Sequence, residues 1–90
     1  MNKSMMYRKL IDQFGKDEYL FKVVEELGEL IVAVTHFRLG KVDDVALASE
    51  MADVMIQLEK LFEIAPSLHE LYLYEYQAKI KKLKIITDSN

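Results

Sequence analysis

Two short acidic runs carry the chemistry this sequence could perform. Glu25-Glu26-Leu27-Gly28-Glu29 and Glu50-Met51-Ala52-Asp53 each contain carboxylates three residues apart, a spacing that on a helix brings both onto one face within about a turn. Either pair alone reads as a solvated helix face, since 15 of the 90 residues are Asp or Glu. Together they say more, because four carboxylates held close repel one another unless they are protonated or a cation lies between them. A set of oxygen donors, with no cysteine and no paired histidine, suits a hard ion such as Mg²⁺ or Mn²⁺ better than zinc. Magnesium held this way is commonly shared with phosphate oxygens, so the pattern points to cleavage of a phosphate ester or phosphoanhydride.

Helices must position these groups. Four helical segments are predicted and strands are nowhere competitive. The first runs from a Ser4 cap through Tyr7, Leu10, Ile11 and Phe14 to Gly15. The second starts near Asp17 or Glu18, ends at Leu39 and stops at Gly40, with Leu20, Val23, Leu27, Leu30, Ile31 and Val34 as a stripe expected to face the core. The third starts at Asp43 or Asp44 and ends at Ile64, its stripe formed by Leu47, Met51, Val54, Met55, Leu58, Leu61 and Phe62. A capping box of Ser67 and Glu70 is expected to open the fourth, which reaches about Ile85. Short connections make successive helices antiparallel neighbours, which predicts an all-α, four-helix bundle.

That arrangement brings the acidic runs together. Glu26 and Glu50 lie roughly 80° from their stripe centres and Glu29 and Asp53 flank the same side, so an antiparallel hairpin turns both flanks outward together. Glu26 is expected near Asp53 and Glu29 near Glu50. A di-iron carboxylate site, which pairs Glu with His three residues on, is disfavoured because Ala33 and Pro66 precede His36 and His69 at that spacing. Both histidines read as surface or packing residues.

The length suits one domain over residues 1–90, and 51% apolar against 30% charged residues is a globular composition. So small a chain with that apolar fraction is expected to complete its core by self-association. Absent cysteine excludes disulfides and thiolate chemistry. Lys3, Arg8, Lys9 and Asp12 interrupt the first apolar residues, and no apolar stretch is long enough for a membrane span, so a cytoplasmic protein without a membrane partner is expected. Net charge is +1 over residues 1–42, −7 over 43–75 and +3 over 76–90. The acidic centre argues against nucleic-acid binding, which depends on neutralising phosphates.

At Glu26-Leu-Gly-Glu29, a spacer covering residues 30–49, and Glu50-Met-Ala-Asp53, the sequence resembles the MazG-like all-α nucleoside triphosphate pyrophosphohydrolases, whose signature is E-x-x-E followed by E-x-x-D. The flanking runs EELGELIVAV and SEMADVMIQLEKL are similar to short phage-type and bacterial members, and the resemblance covers residues 20–84. It implies a MazG-type fold and Mg²⁺-dependent hydrolysis of a ribo- or deoxyribonucleoside triphosphate to the monophosphate and pyrophosphate, for nucleotide-pool control or house-cleaning. Glu26, Glu29, Glu50 and Asp53 become the metal ligands, and Glu25 an outer ligand, a water-orienting group or plain surface. Lys79 and Lys82 match a basic pair in the family's last helix that could meet the substrate's phosphates. Lys22, one turn before Glu26, is either a third phosphate contact or a salt-bridge partner. Gln77 departs from an Asn found in some relatives. Homodimers or homotetramers are implied. Two alternatives remain open: a phosphoribosyl-ATP pyrophosphohydrolase, which shares the acidic pattern, and a non-catalytic helical interaction module.

Overall fold

A computed structural model describes residues 1–89. They form four helices, α1 (Lys3–Phe14), α2 (Lys16–Arg38), α3 (Asp44–Ile64) and α4 (Pro66–Asp88), with no strand among the described residues. None of these helices is long and apolar enough to cross a membrane.

Local chemistry explains most of the boundaries. Asn2 caps α1, its side-chain oxygen accepting from the Met5 amide at 2.9 Å, so the cap falls two residues before the expected Ser4. Asn is at least as good a cap as Ser and here satisfies one of the first free N–H groups. Gly15 alone separates α1 from α2, at φ 93 and ψ 153, a conformation that essentially requires glycine. The end of α2 is a Schellman motif: Lys41 N–H donates to the His36 carbonyl, Gly40 N–H donates to that of Phe37, and Gly40 adopts φ 72. Asp43 then caps α3 by accepting from the Ala46 amide at 2.9 Å. The expected capping box at Ser67 and Glu70 does not open α4. That helix starts at Pro66 with no side-chain cap, because proline at the first position already holds a helical φ and lacks the N–H a cap would satisfy.

Helices α1, α2 and α3 pack on one another, whereas α4 packs on α3 alone and has no buried residue. One chain therefore closes a three-helix cluster with a fourth helix at its edge. Polar contacts pin α1 to α3: the Tyr7 hydroxyl donates to Glu59 at 2.6 Å, Lys3 pairs with Glu59 at 3.4 Å and Arg8 with Glu63 at 3.0 Å. Phe62 stacks against His69 and Tyr72 where α3 passes into α4, which gives His69 a packing role.

Of the predicted stripes, Val23 and Val54 are buried, and the rest of the seam between α2 and α3 lies off the stripe centres. Tyr19, Val23 and Glu26 are the buried residues of α2, and Val54, Gln57 and Lys60 those of α3. At about 100° per residue this seam lies roughly a quarter-turn from the stripe centres, toward the acidic flank. Leu27, Ile31, Val34, Met51 and Met55 stay exposed, Ile31 at 68%. Their stripes are wider than one face, and a helix hairpin with one short helix can cover only part of them. A compact monomer of this mass exposes about 5,400 Å² and has a radius of gyration of about 12 Å. This chain exposes 7292 Å² and has a radius of gyration of 16.3 Å.

Candidate active site

The acidic runs sit on α2 and α3, which the Gly40 turn and the Asp43 cap join as a hairpin. Interactions across it run in opposite order, with Lys22 beside Lys60, Glu26 beside Asp53 and Glu29 within reach of the Glu50 charge. The helices are therefore antiparallel. Because the seam is rotated toward the acidic flank, Glu26 becomes a buried carboxylate at 7% exposure, while Glu50 is half-buried and Glu25, Glu29 and Asp53 are exposed.

Glu26 is the hub. One oxygen from each of Glu26, Glu50 and Asp53 lies within 4.8 Å of the others, and the same holds for Glu25, Glu26 and Glu29. Lys22 supplies the cation in contact with the cluster, its ammonium 3.2 Å from Glu25 Oε1 and 3.2 Å from Glu26 Oε1. Those bonds raise the Lys22 pKa, Glu25 contributing most. The carboxyl of Glu29 is pushed up chiefly by the Glu26 charge, then by burial and by Glu50. Lys22 thus pairs with two of the five clustered carboxylates, and no ion pair reaches the other three among the described residues.

Two carboxylate oxygens of the cluster are without a partner among the described residues. Glu26 Oε2 and Glu50 Oε2 are both buried and accept no hydrogen bond, an arrangement that costs free energy unless something supplies positive charge. The chemistry of this donor set suits a divalent cation, with Glu26, Glu50 and Asp53 able to hold it and Glu29 beside them. Against Glu25, Glu29 and Glu50 lies an open cavity of about 480 Å³, walled also by Val32, Ala33 and His36. His36 is thus a wall of the cavity that three of the acidic residues line.

Lys79 and Lys82 lie elsewhere. Both are exposed on α4, neither makes an ion pair among the described residues, and α4 does not touch α2. Within one chain nothing links them to the carboxylates. Gln57 and Lys60, by contrast, are buried on the face that carries Asp53, a position their residue types alone do not reveal. Helical spacing, four and seven residues after Asp53, puts them on that side, but nothing in the sequence marks that side as buried at these positions.

The fold and the site together define an all-α protein whose central helix hairpin gathers five carboxylates around one buried glutamate. No family model matches the chain, and neither a curated protein nor a solved structure matches it.

Proposed function

We propose that this protein is a divalent-cation-dependent nucleoside triphosphate pyrophosphohydrolase, releasing the nucleoside monophosphate and pyrophosphate in nucleotide-pool control or house-cleaning. The observation that carries this reading is that Glu26 and Glu50, each with a buried oxygen unpartnered among the described residues, bring their carboxylates together from two helices beside Asp53. The resemblance at the two acidic motifs adds the substrate class. Bound there, Mg²⁺ would neutralise phosphate charge and lower the pKa of a water. Glu26, Glu29, Glu50 and Asp53 would hold it. In the hydrolysis a water oxygen bonds to phosphorus, the bridging P–O bond breaks, pyrophosphate leaves with that electron pair, and the water's proton passes to a carboxylate or to solvent. Glu25, which pairs with Lys22 at the edge of the cluster, would orient such a water.

Self-association is part of the proposal. The chain exposes about 1,900 Å² more than a compact monomer of its mass, which exceeds the roughly 800 Å² each partner contributes to a standard interface. The uncovered half of the apolar stripes supplies that surface. A homodimer or homotetramer would also give Lys79 and Lys82 a route to a neighbouring chain's site.

Pyrophosphate release from a panel of ribo- and deoxyribonucleoside triphosphates with Mg²⁺, run beside Glu50→Gln, tests the activity. Release by the wild type alone is expected. If no triphosphate is cleaved the reading fails, and phosphoribosyl-ATP becomes the substrate to try; inactivity there too would leave the interaction module.

A further inference from the structure

Lys60 buries most of its side chain yet has no ion-pair partner among the described residues. It is 8% exposed on α3, and its ammonium stands 4.7 Å from the centre of the Tyr19 ring and 5.9 Å from that of Tyr7. The rings stabilise the charge, yet no hydrogen-bond acceptor or ion-pair partner reaches it among the described residues. Next to it the Gln57 side chain, also 8% exposed, has a buried amide oxygen with no donor. A buried amide oxygen lacking a hydrogen-bond partner is uncommon in a folded protein, and this one stands one helical turn from an unpaired ammonium.

Both line a cavity of about 370 Å³ between α1, α2 and α3, room for roughly a dozen waters. Phe14, Tyr19 and Lys22 line it as well, and Glu18 contributes a carboxylate from its exposed position on α2. Lys22 is shared between this cavity and the acidic cluster, so the two adjoin. Burial, and then the nearby Lys22 charge, hold the Lys60 ammonium below its ordinary pKa, a repulsion that an anion between the two lysines would reverse. Turning the Gln57 amide over presents its NH₂ to the same anion, oxygen and nitrogen being interchangeable in outline. Helical spacing puts the cavity on the flank of α2 away from Leu27 and Ile31, so a partner on the apolar stripe leaves it open.

We propose that this cavity, with Lys60 and Gln57 as its buried wall and Lys22 between it and the carboxylates, binds a phosphate group of the substrate's polyphosphate chain. The proposal rests on the pyrophosphohydrolase reading for its substrate, but its binding test does not need turnover. Inorganic triphosphate is titrated calorimetrically into the protein, once in chelator and once in Mg²⁺, and then into Lys60→Met and Lys60→Arg. Methionine keeps the apolar stem and loses the charge; arginine restores it. Circular dichroism confirms that each variant is folded.

The wild type should bind in a salt-sensitive manner, Lys60→Met should bind at least about ten-fold more weakly, and Lys60→Arg should recover most of the loss. Binding by Lys60→Met equal to the wild type in both buffers overturns the proposal, as does a wild type that takes up triphosphate in neither. A nucleoside and its triphosphate, titrated alongside, distinguish a nucleotide's phosphates from free polyphosphate: tighter uptake of the nucleoside triphosphate than of inorganic triphosphate assigns the site to nucleotide, and equal uptake assigns it to the phosphate chain alone. A wild type that binds through Lys60 but hydrolyses nothing leaves this pocket standing and sinks the enzymatic reading. Hydrolysis with binding and KM unaffected in Lys60→Met does the reverse.

Discussion

Glu50 has one buried oxygen without a hydrogen bond among the described residues and lies with Glu26 and Asp53 in a cluster of carboxylates, so its charge is a liability in the metal-free protein. Glu50→Gln should raise the metal-free melting temperature, by a few degrees for a relief on the order of 1 kcal/mol. It should at the same time remove the rise that Mg²⁺ produces in the wild type. Asp53→Asn is expected to act in the same direction, less strongly on stability because Asp53 is exposed. Lys22→Met makes the opposite prediction, since it removes the ammonium that touches Glu25 and Glu26. That variant should melt below the wild type in chelator and regain most of the difference in Mg²⁺. Paired melts with and without the ion check all three, and an unchanged Mg²⁺ response in Glu50→Gln would contradict the metal assignment. Residue types and spacing were enough to bring Glu26, Glu29, Glu50 and Asp53 into view. Gln57 and Lys60 were not visible that way, because a lone Gln or Lys on a helix carries no signal until its burial is known.

Helix α1 is held to α3 by a bond between two titrating groups, which makes its docking dependent on pH. The Tyr7 hydroxyl is pushed up to about 12 by its hydrogen bond to Glu59, by burial and by the Glu59 charge, while Tyr7 and then Lys3 hold the Glu59 carboxyl below its ordinary value despite burial. For Tyr7 the folded state keeps its proton longer than the unfolded chain, so this contribution is complete below pH 10 and is lost as pH rises through about 12. For Glu59 the contribution is present above the ordinary value of 4.5 and is lost as pH falls through the lowered one. Stability should therefore plateau between those limits. Tyr7→Phe should cost about 1–3 kcal/mol at neutral pH and flatten the alkaline decline, as read by urea melts between pH 8 and 12. At the hairpin, Gly40→Ala forces a side chain into φ 72 and should cost about 1 kcal/mol, with Asp43→Ala losing a similar amount as its cap goes. Helix existence was legible from periodicity and stop signals. The exact caps were less so, because Asn2 outcompeted Ser4 and Pro66 made the Ser67 and Glu70 box unnecessary.

At the scale of the molecule, the exposed apolar half of α2 and α3 and the uncovered α4 set the expectation. In solution the protein should have a mass that is a multiple of 10.5 kDa. Ile31→Glu, placed at a residue 68% exposed in the single chain, should shift it toward 10.5 kDa and lower the melting temperature, since a charge there would have to be desolvated in the interface. Light scattering behind size exclusion reads the mass. A wild type that is monomeric at micromolar concentration would remove self-association from the proposal and with it any contact of Lys79 or Lys82 with another chain's site.

By itself the amino-acid sequence determined the helices, the antiparallel hairpin and the flank on which the carboxylates gather, because a period of 3.6 residues settles which side chains share a face. It did not determine which part of a wide apolar stripe the chain would bury. The tertiary structure decided that, rotating the α2–α3 seam about a quarter-turn toward the acidic side, since the two helices and α1 can cover only one part of a surface too wide for them. From that rotation come the burial of Glu26, the unpartnered oxygens, the enclosure of Gln57 and Lys60, and the apolar face left uncovered.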